Sequence, residues 1–209
     1  MPILSYIIVA VAAYLLGSIP TGYLVAKAKG IDIRSAGSGN IGATNAMRVL
    51  GKPAGIFVLL ADAAKGFIAV WLTTFLAKQF NLSNIETLRV LAGIFAVLGH
   101  NYTCWLKFKG GKGIATTAGV YLALAPWAVL VALVVFLFAV LLTRYVSVAS
   151  ISAAIALPAT VWILQPQNLF LCIVTTALGA LAIWKHKSNI QRLMAGTENR
   201  LGKKSEGAK

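Results

Sequence analysis

Seven apolar stretches, divided by short polar ones, set the pattern of this chain. Residues 3–26 carry no charge over 24 positions, enough to cross a hydrocarbon core of about 30 Å at about 1.5 Å per residue. This run predicts a first membrane span. Gly17, Ser18, Pro20, Thr21 and Gly22 interrupt its second half and predict a kink whose freed backbone groups are satisfied by neighbouring helices. A second span is predicted from Pro53, a residue suited to the first turn of a helix, to about Ala77, and a third over 85–98. Residues 114–142 would make a straight helix about 43 Å long, more than one crossing needs. Pro126 divides them into spans 114–125 and 127–142. Residues 146–164 and 169–184 complete the set. The predicted fold class is all-α: a polytopic membrane protein with seven transmembrane helices, forming one integral membrane domain over 1–209.

Composition agrees with a bilayer as solvent. The chain is 59% hydrophobic and 11% charged with mean hydropathy +0.82, values that exclude an ordinary soluble globule. Its 19 Lys and Arg outnumber 5 Asp and Glu, and their positions orient the spans. Five bases fall in loop 27–52, three in loop 99–113, one (Arg144) in loop 143–146 and seven in the tail 185–209, so 16 of 19 share one side. Only the division at Pro126 brings Arg144 and the tail to that side. The positive-inside rule then predicts the N-terminus outside and these loops and the C-terminus in the cytoplasm. The first run lacks a basic leader and reads as a retained span, not a cleaved signal. Cys104 falls near the inner surface and Cys172 near the outer one, which forbids their pairing. The basic excess is accounted for by topology, and no nucleic-acid partner is expected.

Three polar stretches on the predicted cytoplasmic side do not follow from the need to span a membrane. The first is Gly37-Ser38-Gly39-Asn40-Ile41-Gly42-Ala43-Thr44-Asn45-Ala46-Met47-Arg48. It combines backbone N–H groups, hydroxyls, amides and a guanidinium, the donors a bound oxyanion needs. The second, Lys107-Phe108-Lys109-Gly110-Gly111-Lys112-Gly113, precedes a predicted helix start at Ile114; glycines admit N–H groups to an anion, the helix end adds its dipole and Lys112 its charge. It is not a nucleotide P-loop, for the first glycine is missing and Ile114 stands where Ser or Thr would follow the lysine. The third is His186-Lys187-Ser188-Asn189-Ile190-Gln191-Arg192, with His186 and Asn189 on one face of a helix. Asp62 and Lys65, one turn apart inside the second span, form either a neutralised pair joining helices or part of a site wall. The five acids and two histidines give neither a nucleophilic triad nor metal-ligand spacing, and no metal or other cofactor is expected. The His-x4-Asp signature of coenzyme A-dependent acyltransferases fails at both histidines, with Trp105 and Gln191 in the aspartate position.

Taken in order, the three stretches, with Gly99-His100-Asn101 ahead of the second and Ile190, Arg192 and Leu193 in the third, resemble the motifs of the bacterial acyl-phosphate glycerol-3-phosphate acyltransferase family. The resemblance covers essentially the whole chain. It implies transfer of a fatty acyl group from acyl phosphate to the 1-hydroxyl of glycerol 3-phosphate, giving lysophosphatidic acid and inorganic phosphate without a covalent acyl-enzyme. The implied setting is the bacterial inner membrane, with the active site on the cytoplasmic face. The implied catalytic residues are Ser38, Arg48, Lys112, His186 and Asn189. Gly37, Gly39, Asn40, Thr44, Asn45, Gly110, Gly111, Gly113 and Ser150 are expected to bind substrate phosphate. Both substrates carry phosphate, so fixed donors would make attack nearly intramolecular, and Arg48 and Lys112 would stabilise charge on the carbonyl and the departing phosphate. Either His186 or a substrate phosphate oxygen would take the hydroxyl proton. An organic-phosphate transporter is the main rival reading, and against it the polar groups gather at one surface, not at midplane.

Overall fold

The computed structural model describes residues 2–202; Lys203, Lys204 and Lys209, counted among the tail bases, lie outside them. Regular structure among the described residues is helical: α1 (Pro2–Ser18), α2 (Thr21–Lys27), α3 (Ala43–Leu50), α4 (Lys52–Gln79), α5 (Ile85–Asn101), α6 (Ile114–Leu124), α7 (Pro126–Thr143), α8 (Val146–Leu164), α9 (Leu169–Lys185) and α10 (Lys187–Met194), with a 3-10 turn at Cys104–Leu106.

The two prolines act as predicted. Pro20 breaks the first apolar run between α1 and α2, and the side chain of Lys65 on α4 donates to the carbonyl of Ile19 at 2.9 Å, which supplies the neighbouring group the break requires. Pro126 separates α6 from α7. Two details depart from the pattern. First, α5 runs on to Asn101, so His100 and Asn101 stand on a last helical turn and not in a loop beginning at 99. Second, length and apolarity alone qualify four stretches of the described residues as spans: 3–27, α4, α7 and α8. A fifth is added if α9 and α10, bent by 51°, are taken together. α5 with 17 residues and α6 with 11 are the short ones, so seven full-length crossings are not present by this measure.

The chain divides into two compact units, Met1–Pro126 and Trp127–Lys209. In the first, α4 is the axis, packed by α1, α2, α3, α5 and α6. Small residues let it approach α6: a Cβ on Gly66 would run into the carbonyl of Thr116, and one on Gly119 into the carbonyl of Ala63. Close backbone approach gains dispersion contact where lipid leaves little hydrophobic drive between helices. Away from that seam α4 turns Ile56, Phe57, Leu60 and Trp71 outward, as a lipid-facing surface does. At one end, Ala26, Ile33, Ile41, Ala46, Val58 and Leu106 form a buried cluster. Ile33 and Ile41 come from the loop joining α2 to α3, so this loop is anchored at two points by burial of apolar side chains.

In the second unit α9 packs on α8 and carries α10. Asn168 caps α9, its Oδ1 accepting the N–H of Leu171 at 3.1 Å. The chain after α10 turns back to the start of α8, where the N–H of Leu201 donates to the carbonyl of Arg144 at 2.8 Å and the Arg200 guanidinium lies over the Tyr145 ring. α7 presents Val134, Phe138, Leu141 and Leu142 outward.

Candidate functional site

The first polar stretch is a loop built around one side chain. Asn45, on the first turn of α3, is buried, and its Oδ1 accepts the N–H of Ser38 at 2.8 Å. Its Nδ2 faces the carbonyls of Asn40 at 2.9 Å, Ala36 at 3.0 Å and Ile33 at 3.3 Å. Arg48, one turn further on, donates from Nη1 to the same Oδ1 at 3.2 Å. Asn45 therefore organises the loop through its amide, and the hydroxyls and guanidinium around it stay at the surface: Ser38, Thr44 and Arg48 are exposed. Asn40 accepts the N–H of Gly42 at 2.9 Å and so shapes the entry to α3. Gly37 (φ +59°) must be glycine, since its left-handed backbone is unfavourable for other residues and a Cβ would strike Asn45 Oδ1. Upstream, Asp32 and Arg34 pair at 2.8 Å. Side-chain and backbone hydrogen bonds from Arg34 lower the Asp32 carboxyl to about 2.

The second stretch lies against the end of α5. Lys107 and Phe108 adopt left-handed backbone in succession (φ +53° and +60°), uncommon for such residues, and reverse the chain after the 3-10 turn. The N–H groups of Gly110 and Gly111 were expected to face an anion. Instead they donate to the carbonyls of Asn101 at 3.2 Å and His100 at 3.0 Å, because the last carbonyls of α5 need donors. Phosphate contact by these two amides is therefore set aside. Lys112 stays half-buried, between buried Gly111 and Gly113 and immediately ahead of α6. Gly113 adopts φ +83°. Leu106, one residue before this stretch, shares its buried cluster with Ile33 and Ile41, so the first two polar stretches meet at one end of the first unit.

The third stretch belongs to the second unit. His186 is buried at the junction of α9 and α10, with Nδ1 2.7 Å from the carbonyl of Ala182. Only a protonated Nδ1 can make that bond, so in the neutral ring Nε2 is the basic nitrogen. Asn189, also buried, donates to Glu198 Oε1 at 2.7 Å, and Arg192 Nε donates to Oε2 at 2.7 Å. Burial by itself would raise the Glu198 carboxyl, but hydrogen bonds from Asn189 and Arg192 outweigh it and hold it below its ordinary value. Ser147 and Ser150, one turn apart on α8, are both buried.

Sequence reasoning did not single out Glu198. The available signal was scarcity: with five acids in 209 residues, one six positions after Arg192 was worth pairing with it. The named residues fall in two groups: Gly37, Ser38, Gly39, Asn40, Thr44, Asn45, Arg48 and residues 110–113 in the first unit, and Ser150, His186 and Asn189 in the second. Among the described residues no three His, Cys, Asp or Glu side chains gather as a metal site.

Comparison with known proteins gives a consistent result. The sequence pattern of the glycerol-3-phosphate acyltransferase family matches residues 7–196. The glycerol-3-phosphate acyltransferase of Geobacter metallireducens is 52% identical over 194 residues, covering 93% of this chain and 96% of that protein. That of Clostridioides difficile is 46% identical over 211 residues, covering 99% and 100%. Among solved structures, PlsY (YgiH), an integral membrane glycerol 3-phosphate acyltransferase, matches in its glycerol 3-phosphate form with TM-score 0.86 and 41% identity, over 95% of this chain and 96% of that one. Its lysophosphatidic acid form matches with TM-score 0.83 and 40% identity over the same shares.

Proposed function

We infer, for a chain that belongs to the glycerol-3-phosphate acyltransferase family, that its acyl donor is an acyl phosphate and that attack is direct, with no acyl-enzyme. The chain is an integral membrane acyltransferase; the donor, the residue roles and the membrane orientation are the proposal. One observation carries it. Two separate cationic loops, one presenting Arg48 and the other Lys112, lean on one apolar cluster through Ile33, Ile41 and Leu106, a pairing suited to two phosphate-bearing substrates.

In the reaction the 1-hydroxyl oxygen of glycerol 3-phosphate attacks the acyl carbonyl carbon. The bond from that carbon to the phosphate oxygen breaks, and phosphate leaves with the electron pair. The hydroxyl proton passes to a base. Nε2 of His186 is suited to that role, since Nδ1 is committed to Ala182. Arg48 and Lys112 hold the phosphates and offset negative charge as it moves from carbonyl to leaving group. Acyl phosphate is already activated, so positioning supplies most of the acceleration. Ser38 and Thr44 add hydroxyl donors on the first loop, and Asn189 is held in place by Glu198. The proposed topology counts the short helices as spans, with the N-terminus outside, the basic loops and C-terminus in the cytoplasm, and the chain in the bacterial inner membrane. Charge distribution supports it.

The test is turnover of purified protein with glycerol 3-phosphate and, separately, acyl phosphate, acyl-coenzyme A and an acyl-carrier-protein thioester. Lysophosphatidic acid and phosphate should form in equal amounts from acyl phosphate alone. Comparable turnover with a thioester would overturn the donor, and acylated protein trapped by acid quench in the absence of glycerol 3-phosphate would overturn direct attack.

A further inference from the structure

Three ionisable side chains are buried in the first unit and have no part in the chemistry above. Lys65 Nζ lies 2.8 Å from Asp62 Oδ1, and His100 Nδ1 lies 3.6 Å from the same oxygen. All three side chains are 5% exposed or less. Apolar residues of similar volume commonly match or exceed a buried ionic cluster in stability, and within a span such groups are usually kept for function. Part of the cluster has a structural use, since Lys65 also donates to Ile19 at the break between α1 and α2. That use needs only Lys65 and Asp62. His100 has a second neighbour at its other ring nitrogen.

The ring of His100 lies against the turn that carries Lys112. A Cβ on Gly111 would collide with His100 Nε2, and a Cβ on Gly113 would sit 2.7 Å from Asn101 Oδ1. The carbonyls of the same two residues accept the N–H groups of Gly111 and Gly110. Two consecutive residues on the last turn of α5 thus grip the three glycines around Lys112, by backbone and by side chain. The other nitrogen of that ring lies 3.6 Å from the Asp62 carboxylate.

We propose that Asp62 and His100 are positioning residues for the reaction: the buried carboxylate orients the imidazole, and the imidazole, with Asn101, fixes where the turn presents Lys112. This rests on Lys112 being a phosphate ligand. It also explains why small residues are required at 110, 111 and 113 although the amides of Gly110 and Gly111 are spent on α5. Asp62 and His100 are both buried. Their effect is carried by the placement of a neighbouring cation, as with groups that orient a metal or catalytic ligand from behind.

The experiment is a set of double-mutant cycles in purified protein, reading kcat, KM for each substrate and Tm in detergent. His100→Ala and Asp62→Asn should each lower kcat/KM by at least about tenfold and change the same kinetic constant that Lys112→Ala changes. In the Lys112→Ala background the added effect should shrink to about twofold or less, because the cation being placed is gone. His100→Gln, which keeps a polar side chain of similar length, should recover most of the loss. Wild-type constants in folded His100→Ala, or losses that multiply in full with Lys112→Ala, would overturn the proposal. So would failure of Asp62→Asn, His100→Ala and His100→Gln alike to fold, which would assign the cluster to the fold. Wild-type rates in Lys112→Ala would instead defeat the phosphate role of the turn, so the two ideas fail separately.

Discussion

Removing the amide of Asn45 should loosen the first loop while leaving the helices in place. The carboxamide is 2% exposed and takes part in hydrogen bonds with Ser38, Arg48 and the carbonyls of residues 33, 36 and 40. An NH2 group has two hydrogens, so the three well-formed loop bonds are those with Ser38 N–H, Asn40 O and Ala36 O. At ~0.5–1.5 kcal/mol net for each, Asn45→Ala costs the closed loop ~3 kcal/mol. Ile33 and Ile41 remain in their apolar cluster, so the loop should stay attached at its ends and lose order between them. A cost of ~3 kcal/mol raises the open population on the order of a hundredfold. Amide hydrogen exchange in detergent reads this directly: exchange over residues 34–42 should quicken on that order, with α4 unchanged, and kcat/KM should fall with it. Asn45→Asp keeps the acceptor for Ser38 and Arg48 but turns an oxygen toward three carbonyls, so it should be at least as damaging. Loop exchange within about threefold of wild type in both variants would refute the reasoning.

The other expectations are simpler. Arg48→Ala and Lys112→Ala should each lower turnover by at least about tenfold, a loss of ~1.4 kcal/mol of transition-state stabilisation, with Tm unchanged; wild-type rates in both would remove the phosphate role of the two loops. His186→Ala should reduce kcat more than KM, and a pure KM effect in steady-state kinetics would take His186 out of proton transfer. Glu198 is held below its ordinary 4.5, so its contribution is fully present above that value and lost as pH falls through the lower folded-state value. Limited proteolysis should accordingly find the segment after α10 released in acid, and Glu198→Gln should release it at pH 7 at a cost of about 1–3 kcal/mol. Gly119→Leu should yield little folded protein, because its Cβ meets the carbonyl of Ala63; normal yield and Tm would mean the contact between α4 and α6 can be re-formed at little cost.

Much of the architecture can be read from the chain because a bilayer constrains it with few variables. Uncharged runs must be helical to satisfy their backbone, and the breaks at Pro20 and Pro126 follow from a missing N–H and a fixed φ. The three polar stretches stood out because glycine and asparagine have no reason to cluster between spans. Other features were not legible because they depend on partners distant in sequence. Asn45 reads as an oxyanion ligand until its bonds to residues 33–40 are seen. The amides of Gly110 and Gly111 read as an anion cradle until the end of α5 is found to use them. Glu198 reads as an isolated acid until the chain turns back onto α8.

By itself, then, the sequence determined that this is a helical membrane protein, where its helices break, which polar stretches do not follow from spanning a bilayer, and by resemblance which family it joins. These depend on local composition, backbone satisfaction and motif order. Tertiary structure alone decided which polar groups are spent holding the protein together. A side chain or amide has a limited number of hydrogen bonds to give, and only packing shows where they go. Asn45 gives its bonds to a loop, Gly110 and Gly111 give theirs to α5, and His100 turns from Asp62 toward the glycines before Lys112.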